Sequence, residues 1–336
     1  MSVDLDLVLA DLKQRYGDTR TQVLDVQPVE EAGCLHLRGR VLDEATRVDL
    51  LETLAHSLPG LAVDSGDLRV LRRAEAAFCW VAANLTSLHS GTSFLTEMIS
   101  QLLYGARLEA LETLGDWVFV RQDDGYLGWT YRPYLSGETP LPPTHLAVHP
   151  VSSLRATPRP DAPVLTRLLG GAFVAVTAEQ GQWVEVQANV RGWLPSARLR
   201  ALAAIPSSAA EKRALIVQDG LAMTGVPYLW GGCSANGIDC SGLAQLLHRW
   251  AGITIPRDAD MQLHAGQPVE PPFLAGDLIF FGRPEDVRSI THVGISLGGW
   301  QMIHSSRARN GVYIDDVQAV AHLWDSYYGA CTYLGA

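Results

Sequence analysis

Apolar and polar positions change period several times along the chain, and each change predicts an element. In 1–17, apolar residues alternate in groups with acids, as on an amphipathic helix. Residues 35–41 alternate well enough for a strand. Asp43 then stands where it can cap a helix carrying Val48, Leu51 and Leu54. Residues 1–73 thus read as helix, strand, strand, helix and short strand, a small α+β unit without visible chemistry. Much further on, Leu243, Leu246, Leu247 and Trp250 fall at i, i+3, i+4 and i+7, one apolar helix face beginning at Cys240. In 292–297, Val293, Ile295 and Leu297 share one strand face, while His292, Gly294 and Ser296 share the other.

Between these regions the pattern repeats. Residues 101–130 and 167–194 each hold short alternating strands, a glycine turn before a first tryptophan, and a Gly-Trp ending. Leu103 and Leu169 are separated by the same interval as Trp117 and Trp183, and Trp129 and Trp193 follow at nearly that interval. Short strands with glycine turns predict two small β-barrels. The segments resemble bacterial SH3-like barrels, over about 74–137 and 145–203, with Trp117 and Trp183 expected in their cores. Leu141-Pro142-Pro143 reads as a linker, as does the Pro-Ser stretch at 204–208. The predicted domains are 1–73, 74–140, 141–203 and 204–336.

Composition narrows the partners. The 336 residues carry a net charge of −10, which disfavours nucleic acid and mildly favours an amine-bearing substrate. The five cysteines lack the spacing of a redox or zinc pair and fit free thiols in a reducing compartment. The N-terminal stretch lacks a basic segment followed by an apolar core, and no apolar run reaches membrane-spanning length. The expectation is a cytoplasmic, monomeric protein without membrane contact. Histidines and carboxylates show no zinc spacing, so neither metal nor cofactor is expected.

The chemistry concentrates in V-P-Y-L-W-G-G-C-S-A-N-G-I-D-C-S-G, residues 226–242. A glycine-rich loop delivers Cys240 to a helix N-terminus, where free N–H groups and the helix dipole are expected to lower a thiol pKa. His292 and His304 follow on predicted strands. A cysteine followed by a strand histidine and a polar orienting group is the layout of thiol acyl transfer. The hairpin imposes a condition. A plain two-residue turn at Gly298-Gly299 would pair His292 with Ser305 and leave His304 on the wrong face. An odd loop or a glycine bulge is required.

From 225 to 311 the motifs P-Y-L-W-G-G, D-C-S-G, G-D-L-I-F-F, H-V-G-I and I-H-S-S occur in order, and the chain resembles the NlpC/p60 cysteine peptidases. The resemblance implies an α+β fold, a papain-like domain preceded by the two barrels and the N-terminal unit. It implies Cys240 as nucleophile, His292 as general base and acid, His304 as orienter, and Tyr228 beside the Cys240 N–H at the oxyanion. It also implies cleavage of γ-D-glutamyl–diamino acid bonds in murein peptides. Tandem barrels resemble the recycling-type enzymes, in which Asp239, Ser241, Tyr126 and Glu97 would bind the free ammonium of an N-terminal L-alanine. Alternatives are a secreted wall hydrolase with wall-binding barrels, a non-catalytic peptide-binding module, and acyl transfer to an acceptor other than water. Elsewhere, Asp277 is expected to cap a strand, Asp258 and Asp260 to lie at the surface, and His248 to face solvent. Cys34, Cys79, Cys233 and Cys331 are expected to be inert.

Overall fold

The computed structural model describes residues 2–283 and 289–335. The chain divides into two compact units, Met1–Phe78 with Leu108–Trp129, and Cys79–Arg107 with Thr130–Ala336.

The first unit begins with α1 (Ser2–Arg15), a β1 (Leu24–Glu31) and β2 (Cys34–Val41) hairpin, and α2 (Glu44–Ser57). Asp43 caps α2, accepting the Thr46 N–H at 3.0 Å. Leu12, Leu35, Leu37, Leu50 and Leu54 form the core. Where the pattern predicted one short strand there are two, β3 (Ala62–Asp64) and β4 (Leu68–Val70), both parallel to β2. A turn in which Asp64 accepts the Gly66 N–H at 2.9 Å separates them.

The predicted boundary at residue 73 is not where compactness divides the chain. Of the first barrel's strands, β5 (Ala77–Val81), β6 (Leu85–His89), β7 (Met98–Leu103), β8 (Arg107–Leu114), β9 (Trp117–Arg121), β10 (Leu127–Tyr131) and β11 (Leu135–Ser136), the β8–β9 hairpin falls within the first unit. Charge pairs hold it there. Glu112 meets Arg40, and Arg69 at 2.5 Å, while Arg72 reaches Glu109 at 3.0 Å.

In the second unit, β12 (His145–Ala147), β13 (Val151–Arg155), β14 (Val164–Leu169), β15 (Phe173–Gln180), β16 (Trp183–Gln187), β17 (Arg191–Pro195) and β18 (Leu199–Ala201) form the second barrel, ordered β14-β13-β17-β16-β15-β12-β18. Leu154, Leu168, Val174, Val186 and Leu194 fill it. Trp117 is buried as expected of a core residue, whereas Trp183 is only half-buried.

The last domain contains α3 (Ala209–Leu221), β19 (Cys233–Ser234), β20 (Gly237–Ile238), α4 (Cys240–Trp250) and α5 (Ala259–Ala265). After them come β21 (Gln267–Pro268), β22 (Leu278–Phe281), β23 (His292–Gly298), β24 (Gln301–Ser306), β25 (Gly311–Asp316), α6 (Ala321–Asp325) and β26 (Tyr327–Thr332). The sheet runs β21-β26-β22-β23-β24-β25.

Helix α4 is buried on almost every side rather than along one stripe. Leu243, Leu247 and Trp250 share a core with Val293 and Ile303 of the sheet and with Leu103 and Leu169 of the barrels. The Gly170-Gly171 turn makes that approach possible. A Cβ at Gly170 would lie 2.3 Å from Trp250, and one at Gly171 2.6 Å from Leu246. This packing corrects the expectation for His248, which is fully buried and bonds the Ala244 carbonyl through Nδ1 at 2.8 Å. Burial lowers its pKa to about 4. Largely buried ion pairs tie α3 to the strands around this core, and one of them also reaches the end of α4. Arg200 bonds Asp219 at 3.0 Å and the Trp250 carbonyl at 2.7 Å, and Arg213 bonds Asp277 at 2.8 Å.

Candidate active site

The loop before α4 is shaped by close backbone approaches. Gly231 has φ +73, and a Cβ there would lie 2.4 Å from the Met98 carbonyl oxygen, so only glycine fits. Strand β7 fastens the same loop. Gln101 Oε1 accepts from the Cys233 N–H and the Ser234 hydroxyl, each at 2.9 Å. Asp239 is the N-cap of α4 and accepts the Gly242 N–H at 2.7 Å. Cys240 is therefore the first residue of the helix, as its pattern predicted.

Its acidity is not as predicted. Burial, with the Asp239 charge adding to it, pushes the Cys240 thiol up to about 12. The N–H groups of Val293 and Ser241, aimed at the sulfur, and the Arg257 charge oppose this and are outweighed. The helix terminus supplies partial charges, but close-packed protein removes the water a thiolate needs. Burial also lowers His292 to about 3, helped by His304 and His322. The resting pair is thus neutral thiol and neutral imidazole.

The condition on the hairpin is met by a bulge. Ile295 pairs with Ile303 and Ser296 with Met302, then the register shifts so that Gly298 pairs with Gln301. The buried Ser296 hydroxyl accepts the Gly298 N–H at 3.0 Å and donates to the Gly299 carbonyl at 3.1 Å, while Gly298 and Gly299 adopt φ +119 and +60. The extra residue puts both histidines on one face, and His292 Nε2 lies 2.7 Å from His304 Nδ1. Adjacent Gly294 leaves the needed room, since a Cβ there would meet Met302 Sδ at 2.3 Å.

Three residues here were missed in the sequence, two of them behind His304. His304 Nε2 lies 2.9 Å from Asp315 Oδ2, and Arg309 Nη1 donates to Asp315 Oδ1 at 2.5 Å. The ionised carboxylate only accepts, so His304 carries its proton on Nε2 and accepts through Nδ1. His292 then carries its proton on Nε2, and its Nδ1 is left with the lone pair a base requires. The orienting imidazole is itself backed by a carboxylate. The other missed residue is Arg257, 1% exposed, which donates to Asp239 Oδ2 at 2.6 Å, Asp239 Oδ1 at 3.1 Å, Ser241 Oγ at 2.8 Å and Ser100 Oγ at 3.2 Å. Register parity carries a signal for Asp315, because Met302 pairs with Asp315 and His304 with Tyr313. For Arg257 the sequence carries none.

Asp239 and Ser241, assigned to a substrate ammonium, are both buried against Arg257. Asp239 also accepts the Gly231 N–H at 2.8 Å, so its carboxylate is largely engaged within the protein and an ammonium would have to share it. Tyr228 lies near enough to Cys240 that the thiolate's charge adds to burial in raising its hydroxyl to about 12. Glu97 is exposed at the start of β7 and accepts the Trp230 indole N–H at 2.8 Å, which brings it to the nucleophile loop. Tyr126 belongs to the first unit, where it is buried and its N–H bonds Asp124 at 3.0 Å. Asp277 is paired with Arg213 and accepts the Leu274 N–H at 2.8 Å, a structural acid at the strand start. Among the described residues no group of three or more histidine, cysteine or acidic side chains is arranged to hold a metal.

A thiol at a helix start, met by the N–H of Val293 beside a histidine relay on an antiparallel sheet, defines a papain-like hydrolase site. Residues 225–329 match the NlpC/P60 family, 151–200 the bacterial SH3 domain and 88–130 the bacterial dipeptidyl-peptidase SH3 domain. The chain is 30% identical over 254 residues to a gamma-D-glutamyl-L-lysine dipeptidyl-peptidase of Bacillus cereus (strain ATCC 10987 / NRS 248), covering 70% of this chain and 75% of that one. It is 32% identical over 227 residues to the Bacillus subtilis (strain 168) protein of the same name, covering 64% and 74%. The crystal structure of an NlpC/P60 family protein from Bacillus cereus ATCC 10987 shares the fold, with TM-score 0.67 and 24% identity over 77% of this chain and 100% of that one. The chain belongs to the NlpC/P60 family of peptidases, with two bacterial SH3-type domains before the papain-like domain.

Proposed function

We propose that this protein hydrolyses the γ-D-glutamyl–L-diamino acid bond of murein peptides that begin with a free L-alanine. The observation that carries the peptidase chemistry is the relay behind His292, which leaves Nδ1 as acceptor for the thiol proton. As Cys240 Sγ attacks the γ-glutamyl carbonyl carbon, its proton passes to His292 Nδ1. The Cys240 N–H and the Tyr228 hydroxyl would receive the developing oxyanion, Tyr228 lying close enough to Cys240 to feel its charge. His292 then protonates the departing amine. Water, activated by the same imidazole, cleaves the thioester and releases the dipeptide.

Support for the substrate comes from relatives named as gamma-D-glutamyl-L-lysine dipeptidyl-peptidases and from exposed Glu97 beside the nucleophile loop. Glu97, with a share of Asp239, would meet the ammonium. A free-amine requirement excludes stem peptides whose alanine is acylated, so a cytoplasmic recycling role goes with this reading. The test is mass spectrometry of the protein and Cys240→Ala incubated with L-Ala-γ-D-Glu-diaminopimelate and its N-acetylated form. Release of L-Ala-D-Glu from the free-amine peptide alone, and only by the native protein, is expected. Equal cleavage of both peptides would replace the recycling assignment with wall hydrolysis.

A further inference from the structure

We propose that Asp315 is a positioning residue that fixes the tautomers of both histidines, and that Arg309 holds Asp315 in the one orientation that does so. The proposal rests on His292 acting as the base for Cys240.

The relay is a chain of single hydrogen bonds, so its polarity is set at one end. Asp315 Oδ2 demands a donor at His304 Nε2, 2.9 Å away. That demand passes through the 2.7 Å His304–His292 contact and leaves Nδ1 unprotonated on His292, whose neighbour Val293 aims its N–H at the Cys240 sulfur. The other carboxylate oxygen is not idle. Arg309 Nη1 donates to Oδ1 at 2.5 Å, and the guanidinium lies over the Tyr313 ring, 4.4 Å from its centroid. Tyr313 is paired with His304 across β24 and β25, so the clamp and the relay are set by the same register. Arginine cannot accept a hydrogen bond, so whatever stands at Oδ1 must be an acceptor.

This geometry makes a specific demand of Asp315→Asn. With Arg309 donating to one side, the amide oxygen must take the Oδ1 place, and the amide NH2 faces His304 Nε2. His304 then has to accept at Nε2 and carry its proton on Nδ1, and His292 is driven to carry its own on Nδ1. The imidazole is in place but in the wrong tautomer to take the thiol proton. In serine-protease triads the same aspartate-to-asparagine change costs about 10⁴-fold in kcat with the geometry intact. Removing Arg309 as well frees the amide to turn its oxygen toward His304, which restores the productive tautomer.

Two readouts are measured on Asp315→Asn, Arg309→Met and the double variant. One is kcat and KM on L-Ala-γ-D-Glu-diaminopimelate. The other is the rate of Cys240 alkylation by iodoacetamide at neutral pH, which needs no substrate. The expected result for Asp315→Asn is a fall in kcat of about 100-fold or more with little change in KM, and slowed alkylation. In the double variant both should recover about 10-fold or more relative to Asp315→Asn. A purely structural role for Asp315 predicts that the double variant is no better than the single, and that outcome would overturn the proposal. So would native-like kcat and alkylation in Asp315→Asn. Should Asp315→Asn fail to fold, Arg309→Met tests the clamp alone. A fall in alkylation of about 3-fold or more is expected, and an unchanged rate would refute it. If the native protein leaves this peptide intact, the substrate assignment fails, while the alkylation rates still decide the proposal.

Discussion

Replacing Arg257 with methionine keeps an unbranched apolar stem but removes the guanidinium, and leaves its partner Asp239 buried. Arg257 makes two contacts to Asp239, at 2.6 and 3.1 Å, and one each to Ser241 and Ser100. After the change, Asp239 keeps the Gly231 and Gly242 N–H groups at 2.8 and 2.7 Å and the Ser241 hydroxyl at 3.3 Å. Its ion-pair partner is then gone, and among the described residues no other cation is bonded to it. Breaking a buried pair from one side costs about 3–5 kcal/mol, because the stranded charge loses its partner without regaining water. Asp239→Asn should destabilise by the converse route, stranding the arginine. The double variant Asp239→Asn/Arg257→Met strands neither, and its loss should fall short of the summed single losses by at least about 1 kcal/mol. Stability is best read locally, as the urea dependence of alkylation at buried Cys233 and Cys331 in a Cys240→Ala background, since the chain's two units need not unfold together. A loss below about 1 kcal/mol for Arg257→Met, or strict additivity of the single variants, would refute the argument that this pair is a closed electrostatic unit.

Two more outcomes follow from the buried groups. His292 and His248 are lowered to about 3 and 4, so below about pH 6.5 the unfolded chain binds protons that the native protein does not. Stability should therefore fall as pH drops from about 6.5 toward 3, and a flat urea midpoint across that window would contradict the burial of both imidazoles. Cys240 acts in the opposite range: raised to about 12, it makes stability fall as pH rises above the ordinary thiol value, a loss Cys240→Ala should reduce while Cys331 and Cys79, pushed up to about 12 and about 11, keep the rest. Gly294→Ala would press a methyl to 2.3 Å from Met302 Sδ and 3.3 Å from His304 Cβ. The expected cost is about 1–3 kcal/mol, with kcat reduced more than KM; wild-type stability and kcat together would show the hairpin is less tightly packed than described.

The sequence by itself determined which groups carry the chemistry and on which elements they stand. The spacing of Leu243, Leu246, Leu247 and Trp250 placed Cys240 at a helix start, and the alternation from His292 to Leu297 identified the strand and its faces. Those patterns are local, because a helix or strand period is written in consecutive residues. The repeated tryptophan segments likewise marked two barrels. Strand parity even stated the condition for His304, that a bulge be present, though not that Ser296 would stabilise it by bonding both ends of the glycine turn.

Tertiary structure alone decided the environment of each group. Asp315 and Arg257 became legible only when distant segments met: Arg257 lies beyond the end of α4, yet reaches back to Asp239 and across to Ser100 in the first barrel. The thiol rose rather than fell, and His248 was buried rather than solvated, for one physical reason. Burial depends on what packs against a helix from every side, and α4 is enclosed by the sheet and by the glycine turn of the second barrel. A linear pattern records which face of a helix is apolar. How much water remains around its polar groups is settled by the neighbours that the fold brings in.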